Sequence, residues 1–382
     1  MCVTFPTLDI FRTVRHMERG SDVNGLEYTD HASDDPMERP MKRQGIKPWA
    51  GEKEMTHRSA MRPAFCLSRR ALAVGLAGAS LASPALAQAR PRLRVGVPTK
   101  AYWPTILASA AEQQKFFEKE GLAVETTIYR GGAECFEALA AGAADLILDP
   151  PSLVAAAIKR GFGSKLVTSG ALAYYGWHLM VRTDSPIREV SDLAGKKLGI
   201  TSRGSGSDLL AQWTEVDRKV TTNRIPVGGG GLVPNLRSRN IDAAVIYSPL
   251  SFQLLRANQA RSLIDYGSAI PQHTTAGWIA SDRIIRDTPQ AVQGGVNAIY
   301  GGLAWLRANR GPAVELIATN NEIPPEIAAI EYEETILKLS VDGAIEQAQV
   351  AYSLELARMI GMTDLAPVEE VFTTRFRPVP TR

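Results

Sequence analysis

The sequence predicts an α/β protein built from two similar lobes. Three observations carry this expectation. Strand-like and helix-like segments alternate from about residue 93 onward, the mark of an α/β chain. An internal repeat pairs Gly131, Gly132, Leu139 and Asp145 with Gly228, Gly229, Leu236 and Asp242 at identical spacing. Turn chemistry at Thr183-Asp184-Ser185-Pro186 offers a boundary between the two copies. In each copy a short apolar strand and a proline follow, Leu146-Ile147-Leu148 with Pro150 and Ala243-Ala244-Val245-Ile246 with Pro249. Each copy reads as loop, helix, tight turn, strand and a proline-bearing strand exit, unless common residue types coincide by chance. The strand exits of such units are where open α/β sheets take ligands.

The elements follow in order. Residues 93–97 alternate as a strand, a loop runs over 98–104, and 105–119 carry a helical pattern. Residues 123–129 read as strand and 134–141 as helix. Residues 145–148 form a short apolar strand and 152–160 a helix. Strands are expected over 165–169 and 177–181, then over 197–200, with a helix over 207–218. The strand 243–247 leads into a helix ending near residue 257, and strand character returns over 277–280. The remainder is mainly helical. Thr288-Pro289 starts a helix with proline at its first position, and Val292, Val296, Ile299, Leu303 and Leu306 keep helical spacing. A further amphipathic helix spans 344–360 and closes at Gly361.

Composition bounds the function. The chain is 382 residues long, 45% hydrophobic and 22% charged, with 43 Lys plus Arg against 40 Asp plus Glu. That balance excludes a dedicated nucleic-acid or polybasic membrane binder. Residues 61–87 read as an export signal. Met61 precedes a basic segment with Arg62, Arg69 and Arg70, then the small-apolar run 71–82, then Pro84 and Ala85-Leu86-Ala87. The last three match what a signal peptidase cleaves. The run is too short and too rich in Ala and Gly to span a bilayer. Ser68-Arg69-Arg70-Ala71-Leu72 resembles the twin-arginine motif, and the same arginines also suit the general secretory route. Residues 1–60 are polar and precede the signal, so they read as a mis-assigned or disordered N-terminal extension. Residues 1–87 hold 12 Lys/Arg and 10 Asp/Glu, which leaves 31 against 30 and a net charge of +1. Cys135 is then the one remaining cysteine, beside His178 and His273. No intrachain disulfide is possible in that product, and a metal cluster is not expected.

In this order the segments resemble a known group. The carrying residues are Tyr102-Trp103-Pro104, the run Phe116-Phe117-Glu118-Lys119-Glu120-Gly121-Leu122, Tyr129-Arg130-Gly131-Gly132, and Ala138-Leu139-Ala140-Ala141-Gly142-Ala143-Ala144-Asp145. Val190 to Ile200 and Asn240-Ile241-Asp242-Ala243-Ala244 complete the set. Over roughly residues 92–320 the chain resembles the periplasmic solute-binding proteins of ABC importers. The branch is that of alkanesulfonate, taurine and nitrate receptors and of thiamine-pyrimidine-precursor proteins. The resemblance implies the type 2 periplasmic binding fold: two lobes with central mixed sheets flanked by helices, and a ligand cleft between them that shuts by hinge closure. It places lobe one at 90–182 plus 277–382 and lobe two at 183–276, with crossovers near 181–185 and 274–280. It implies a periplasmic monomer that delivers a small molecule to an inner-membrane ABC permease, without a cofactor and without nucleic acid. An enzyme of the same fold, related to thiamine-pyrimidine or menaquinone biosynthesis, is the alternative. The pyrimidine-precursor synthases carry a Cys-rich segment that this chain lacks. A sensing adaptor for a membrane receptor is a third class.

Candidate ligand contacts sit at strand exits. Ser205, Gly206 and Ser207 belong to a Ser/Gly loop between a strand and a helix. Backbone N–H groups there suit an anion, and Arg203 could add charge. The same residues also read as a capping box, Ser205 with Asp208. Tyr102 and Trp103 form an apolar wall or pack as core. Asp149 faces a cationic or hydrogen-bond-donating group, or caps the helix at Ser152, itself a candidate contact. Gly132 is placed with them. The quartet Tyr174-Tyr175-Gly176-Trp177 suits an aromatic or heterocyclic ligand or interlobe packing, with Tyr175 as the candidate contact. Tyr247 faces the cleft by analogy with the first copy. His178 reads as an ordinary half-buried histidine, and Cys135 as buried and inert. A solute combining an anionic group with an aromatic or heterocyclic body, such as a sulfonate, carboxylate or pyrimidine-like compound, fits this set.

Overall fold

A computed structural model describes residues 90–379. The extension 1–60 and the signal segment 61–87 lie outside the described residues. Strands run as β1 (Arg92–Val97), β2 (Ala123–Ile128), β3 (Leu146–Asp149), β4 (Ser164–Ala171), β5 (His178–Arg182), β6 (Lys197–Ile200), β7 (Asn223–Pro226), β8 (Ala243–Ile246), β9 (Ala260–Asp265) and β10 (Ala276–Ser281). Helices of six or more residues are α1 (Trp103–Gln113), α2 (Gly132–Ala140), α3 (Pro151–Lys159), α4 (Gly206–Asp217), α5 (Leu232–Arg237), α6 (Leu250–Arg256), α7 (Asp282–Asp287), α8 (Pro289–Ala308), α9 (Arg310–Asn321), α10 (Pro325–Glu334) and α11 (Gln347–Met359).

The strands form two five-stranded sheets, ordered β2-β1-β3-β10-β4 and β7-β6-β8-β5-β9. The two orders are the same pattern. In each, three parallel strands are followed by one antiparallel strand from the other part of the chain, β10 in the first sheet and β5 in the second. β3 and β8 lie at the centre of their sheets and are buried throughout, as expected of apolar strands covered on both faces. The repeat seen in the sequence is therefore structural. Asp145 accepts hydrogen bonds from the Arg94 backbone N–H at 3.0 Å and its side chain at 2.9 Å. Asp242 accepts the Lys197 backbone N–H at 2.9 Å. Both carboxylates bind a turn to the strand second in the order of their own sheet, β1 for Asp145 and β6 for Asp242.

The sheets correct one boundary. β5 pairs antiparallel with β8 and β9, so His178–Arg182 belongs to the second sheet rather than to a first lobe ending at 182. The first crossover therefore runs through 172–177, not 181–185. The alternation of β5 announces a strand but cannot say which sheet receives it. The two crossing segments are bonded to each other, His273 N–H to Leu172 O at 2.8 Å and Thr275 N–H to Ala171 O at 2.9 Å. The single helix expected over 105–119 divides because Lys115 turns left-handed, with φ 59°. A separate turn, Phe116–Lys119, follows. The last helix begins at Gln347, after Glu346 in extended backbone, rather than at residue 344.

The C-terminal helices tie the two sheets together. α10 packs on α6, and α11 packs on both α3 and α4. Glu331 on α10 is fully buried, and burial pushes its carboxyl up to about 8. It accepts the Thr335 hydroxyl at 3.0 Å, and that hydroxyl lies 3.0 Å from Ser248 Oγ beyond β8. The tail returns to the first sheet, where Thr373 N–H donates to Leu166 O at 3.0 Å.

Candidate functional site

The strand exits of both sheets converge on one cavity between them. Tyr102 comes from the loop after β1, in extended backbone ahead of α1. Tyr247 directly follows β8, and Tyr174 and Trp177 lie on the first crossover. Ring centroids are 5.1 Å apart for Tyr102–Tyr247 and for Trp177–Tyr247, 5.7 Å for Tyr102–Trp177 and 6.2 Å for Tyr174–Trp177. Interplanar angles of 46° to 88° make a box of inclined walls rather than a stack. Burial holds the Tyr102 hydroxyl well above its ordinary pKa and pushes that of Tyr247 up to about 12. Both are neutral.

Asp149 closes β3 and lines the same cavity. It is 3% exposed, and its Oδ2 has no hydrogen-bond partner. Burial holds its carboxyl well above the usual carboxylate range. The cognate position in the second copy is Ile246, so the repeat itself accommodates an apolar residue here. Gly132 opens α2 against this carboxyl, and a Cβ on Gly132 would collide with Asp149 Oδ1. No Lys, Arg or His is among the residues lining the cavity.

The Ser/Gly loop supplies the opposite wall. Thr201 Oγ1 donates to Ser205 Oγ at 2.8 Å, and Ser207 Oγ lies 2.9 Å from Ser205 Oγ and 3.0 Å from Thr201 Oγ1. Ser205 also caps α4, accepting the Asp208 N–H at 3.5 Å, as the capping pattern predicts. Asp208 turns away from the cavity into Arg224 at 2.7 Å and the Gly204 N–H at 2.8 Å. Arg203 donates to Arg224 O at 3.2 Å and does not line the cavity.

The structure brings together Tyr102, Gly132, Asp149, Ser205, Gly206, Ser207 and Tyr247. It separates the other three. Trp103 is core behind the wall, 5.6 Å from Tyr102 and packed against Gly170. Ser152 lines a second, neighbouring cavity of about 30 Å³ with Trp213 and His273. Tyr175 is half-buried and does not line the cavity, with Lys338 Nζ 5.9 Å from its ring centroid. The reason is local. Trp177 N–H donates to Tyr174 O at 3.1 Å, closing a tight turn with Gly176 at φ 67°. The first and last residues of such a turn meet, and the second faces away. Tyr174 and Trp177 are therefore the inward pair, and the Gly between them was the available signal. Thr99, Thr201 and Thr275 add hydroxyls to the lining, from loops whose sequence carries no comparable mark. His178 lies off the cavity, bonded to Ser262 at 3.0 Å. Cys135 is buried, and burial raises its thiol pKa.

The two glycine pairs face each other across the cleft. Gly229 N–H donates to Arg130 O at 2.9 Å. A Cβ on Gly229 would collide with Thr99 and lie 2.6 Å from Tyr247 Oη. A Cβ on Gly131 would lie 2.5 Å from Ser202 Oγ. The loops thus meet backbone to backbone, a shut arrangement. The cavity inside measures about 40 Å³. A water occupies roughly 10–15 Å³ on this measure, so an organic solute enters only when loops or lobes move. Among the described residues no cluster of His, Cys, Asp and Glu could hold a metal ion, and no helix is long and apolar enough to cross a membrane.

With this geometry in hand, the likeness to known proteins is specific. The family model described as NMT1/THI5 like matches residues 105–313, more than half of the chain. A Brucella abortus protein named as a candidate binding protein is 27% identical over 289 residues, 72% of this chain and 88% of that one. The fold matches the alkanesulfonate-binding protein SsuA of Xanthomonas axonopodis pv. citri, solved bound to MOPS. That match has a TM-score of 0.63 and 19% identity over 74% of this chain and 98% of that one. It also matches the desulfurization enzyme DSZB, at a TM-score of 0.51 and 17% identity over 75% and 97% of the two chains.

Proposed function

The chain belongs to the NMT1/THI5-like family, and from that premise we propose that it is the substrate-binding component of an ABC-type importer. It captures a small organic solute in the periplasm and presents it, as a monomer, to an inner-membrane permease. The observation that carries this reading is the single aromatic box built by both lobes at their crossover. Residues from the exits of β1, β3 and β8 and from the crossover share one cavity, so a bound solute would bridge the lobes and favour closure. Desolvation by the rings and a few fixed polar groups supply affinity. Nothing lining the cavity arms a nucleophile. The Ser205 and Ser207 hydroxyls bond to each other and to Thr201, and Cys135 lies beneath the wall. That favours a receptor over an enzyme of the same fold.

The test is thermal unfolding of the mature protein against sulfonates, carboxylates, amines, pyrimidines and ureido compounds. A solute at 100 times its Kd stabilises the folded state by about 2.7 kcal/mol, which raises Tm by roughly 4 °C. A protein that no member of the panel shifts contradicts the reading.

A further inference from the structure

We propose that the cavity takes a small organic cation, a protonated amine on an apolar or aromatic body, held between Asp149 and the rings of Tyr102, Trp177 and Tyr247. This inference rests on the receptor reading and names its ligand class. Four features support it.

First, Asp149 is 97% buried by its 3% exposure, and its Oδ2 has no hydrogen-bond partner. A buried, unpartnered carboxyl is costly, and the second copy shows that an isoleucine fits the same position. An N–H donor from a ligand would satisfy that oxygen. Second, three inclined aromatic rings stand within 5.1 to 5.7 Å of one another in the same cavity, and aromatic rings attract cations. Third, the lining holds no Lys, Arg or His. A sulfonate or carboxylate would find no cationic counter-charge among these residues. Fourth, the side chains at the helix N-terminus that could favour an anion are already engaged with each other. Ser205 caps α4, and its hydroxyl and that of Ser207 satisfy each other.

Proton linkage follows. The ionisable groups facing Asp149 are Cys135 from α2 and Tyr102, Tyr174 and Tyr247 around the cavity, all held neutral by burial. With no cation nearby, burial shifts the empty site's carboxyl well above the usual carboxylate range, toward its protonated form. Pairing with an ammonium group ionises it, so amine binding releases up to about one proton and tightens as pH rises.

The probes are isobutylamine, isoamylamine and benzylamine, each against the carboxylate of the same skeleton, titrated into the mature protein by calorimetry in two buffers of different ionisation enthalpy. The expected result is binding of amines at least about tenfold tighter than the matched carboxylates, with proton release. Asp149→Asn should remove both the preference and the release. Ligand-free Asp149→Asn should unfold at the same temperature as the parent or higher, because no native hydrogen bond to Oδ2 is lost. Carboxylates that bind as tightly as the amines overturn the inference and leave the receptor reading standing. Amine binding unchanged in Asp149→Asn overturns it too, as does failure of all three amines. If neither series binds and the solute panel above also gives no shift, the receptor reading falls with it.

Discussion

Trp177→Ala is expected to cost about 3–5 kcal/mol of folding stability and to weaken solute binding on the order of 100-fold. Trp177 is 8% exposed and is the ring through which the box is joined. It meets Tyr102 from one lobe, Tyr247 from the other and Tyr174 on its own turn. Removing it leaves a void at the crossover, which the bonded segments at Ala171 and Thr275 cannot collapse to fill. The solute loses one wall at the same time. Trp177→Phe keeps an aromatic wall and should lose less than half of either effect. Denaturant unfolding measures the first quantity and calorimetric titration the second. A Trp177→Ala protein of parental stability would show that the box is not packed as described.

Gly229→Val is expected to have the opposite profile, a loss of solute affinity on the order of 100-fold with a change in ligand-free stability within about 1 kcal/mol. The new side chain meets Thr99 from the facing lobe and the Tyr247 hydroxyl. Gly229 is not left-handed, so its backbone accepts a side chain without strain. The conflict with Thr99 arises only when the loops meet, and the open molecule escapes it; the Tyr247 hydroxyl, the far end of a side chain in the same lobe, must shift in either state. Binding that needs closure is taxed by the energy of keeping the lobes apart. Small-angle scattering of the variant with solute should retain the open dimensions, whereas the parent contracts. Gly131→Val, against Ser202, tests the same contact from the other lobe. Parental affinity in both variants would show that solute binds without this closure.

Much of this was legible in the sequence because the repeat fixes spacing. Identical distances between Gly-Gly, Leu and Asp announced two like units, and the paired roles of Asp145 and Asp242 explain why those positions agree. Tyr102, Asp149, Ser205 and Tyr247 were readable because strand exits of α/β units converge. Sequence pattern fails where tertiary pairing decides. β7 (Asn223–Pro226) is a polar edge strand ending in proline, ordered by pairing with β6 rather than by any alternation of its own. β9 (Ala260–Asp265) is likewise defined by β5. Which sheet receives β5 depends on partners 60 to 90 residues away. Tyr175 and Trp177 exchanged roles because one positive φ at Gly176 rotates the chain between them. The proposal of a cationic solute, beside the anionic one that the Ser/Gly loop suggests, rests on what lies around Asp149. Burial, a missing partner and the absence of lining cations are properties of the assembled site.

Native mass spectrometry of the mature protein most directly tests the claim that this cleft is a solute receptor. The protein would be measured as purified and after incubation with an extract of its growth medium, followed by denaturation. The expected result is one small organic molecule per chain, released on denaturation and excluded by Gly229→Val. A bare polypeptide mass under every condition would contradict it.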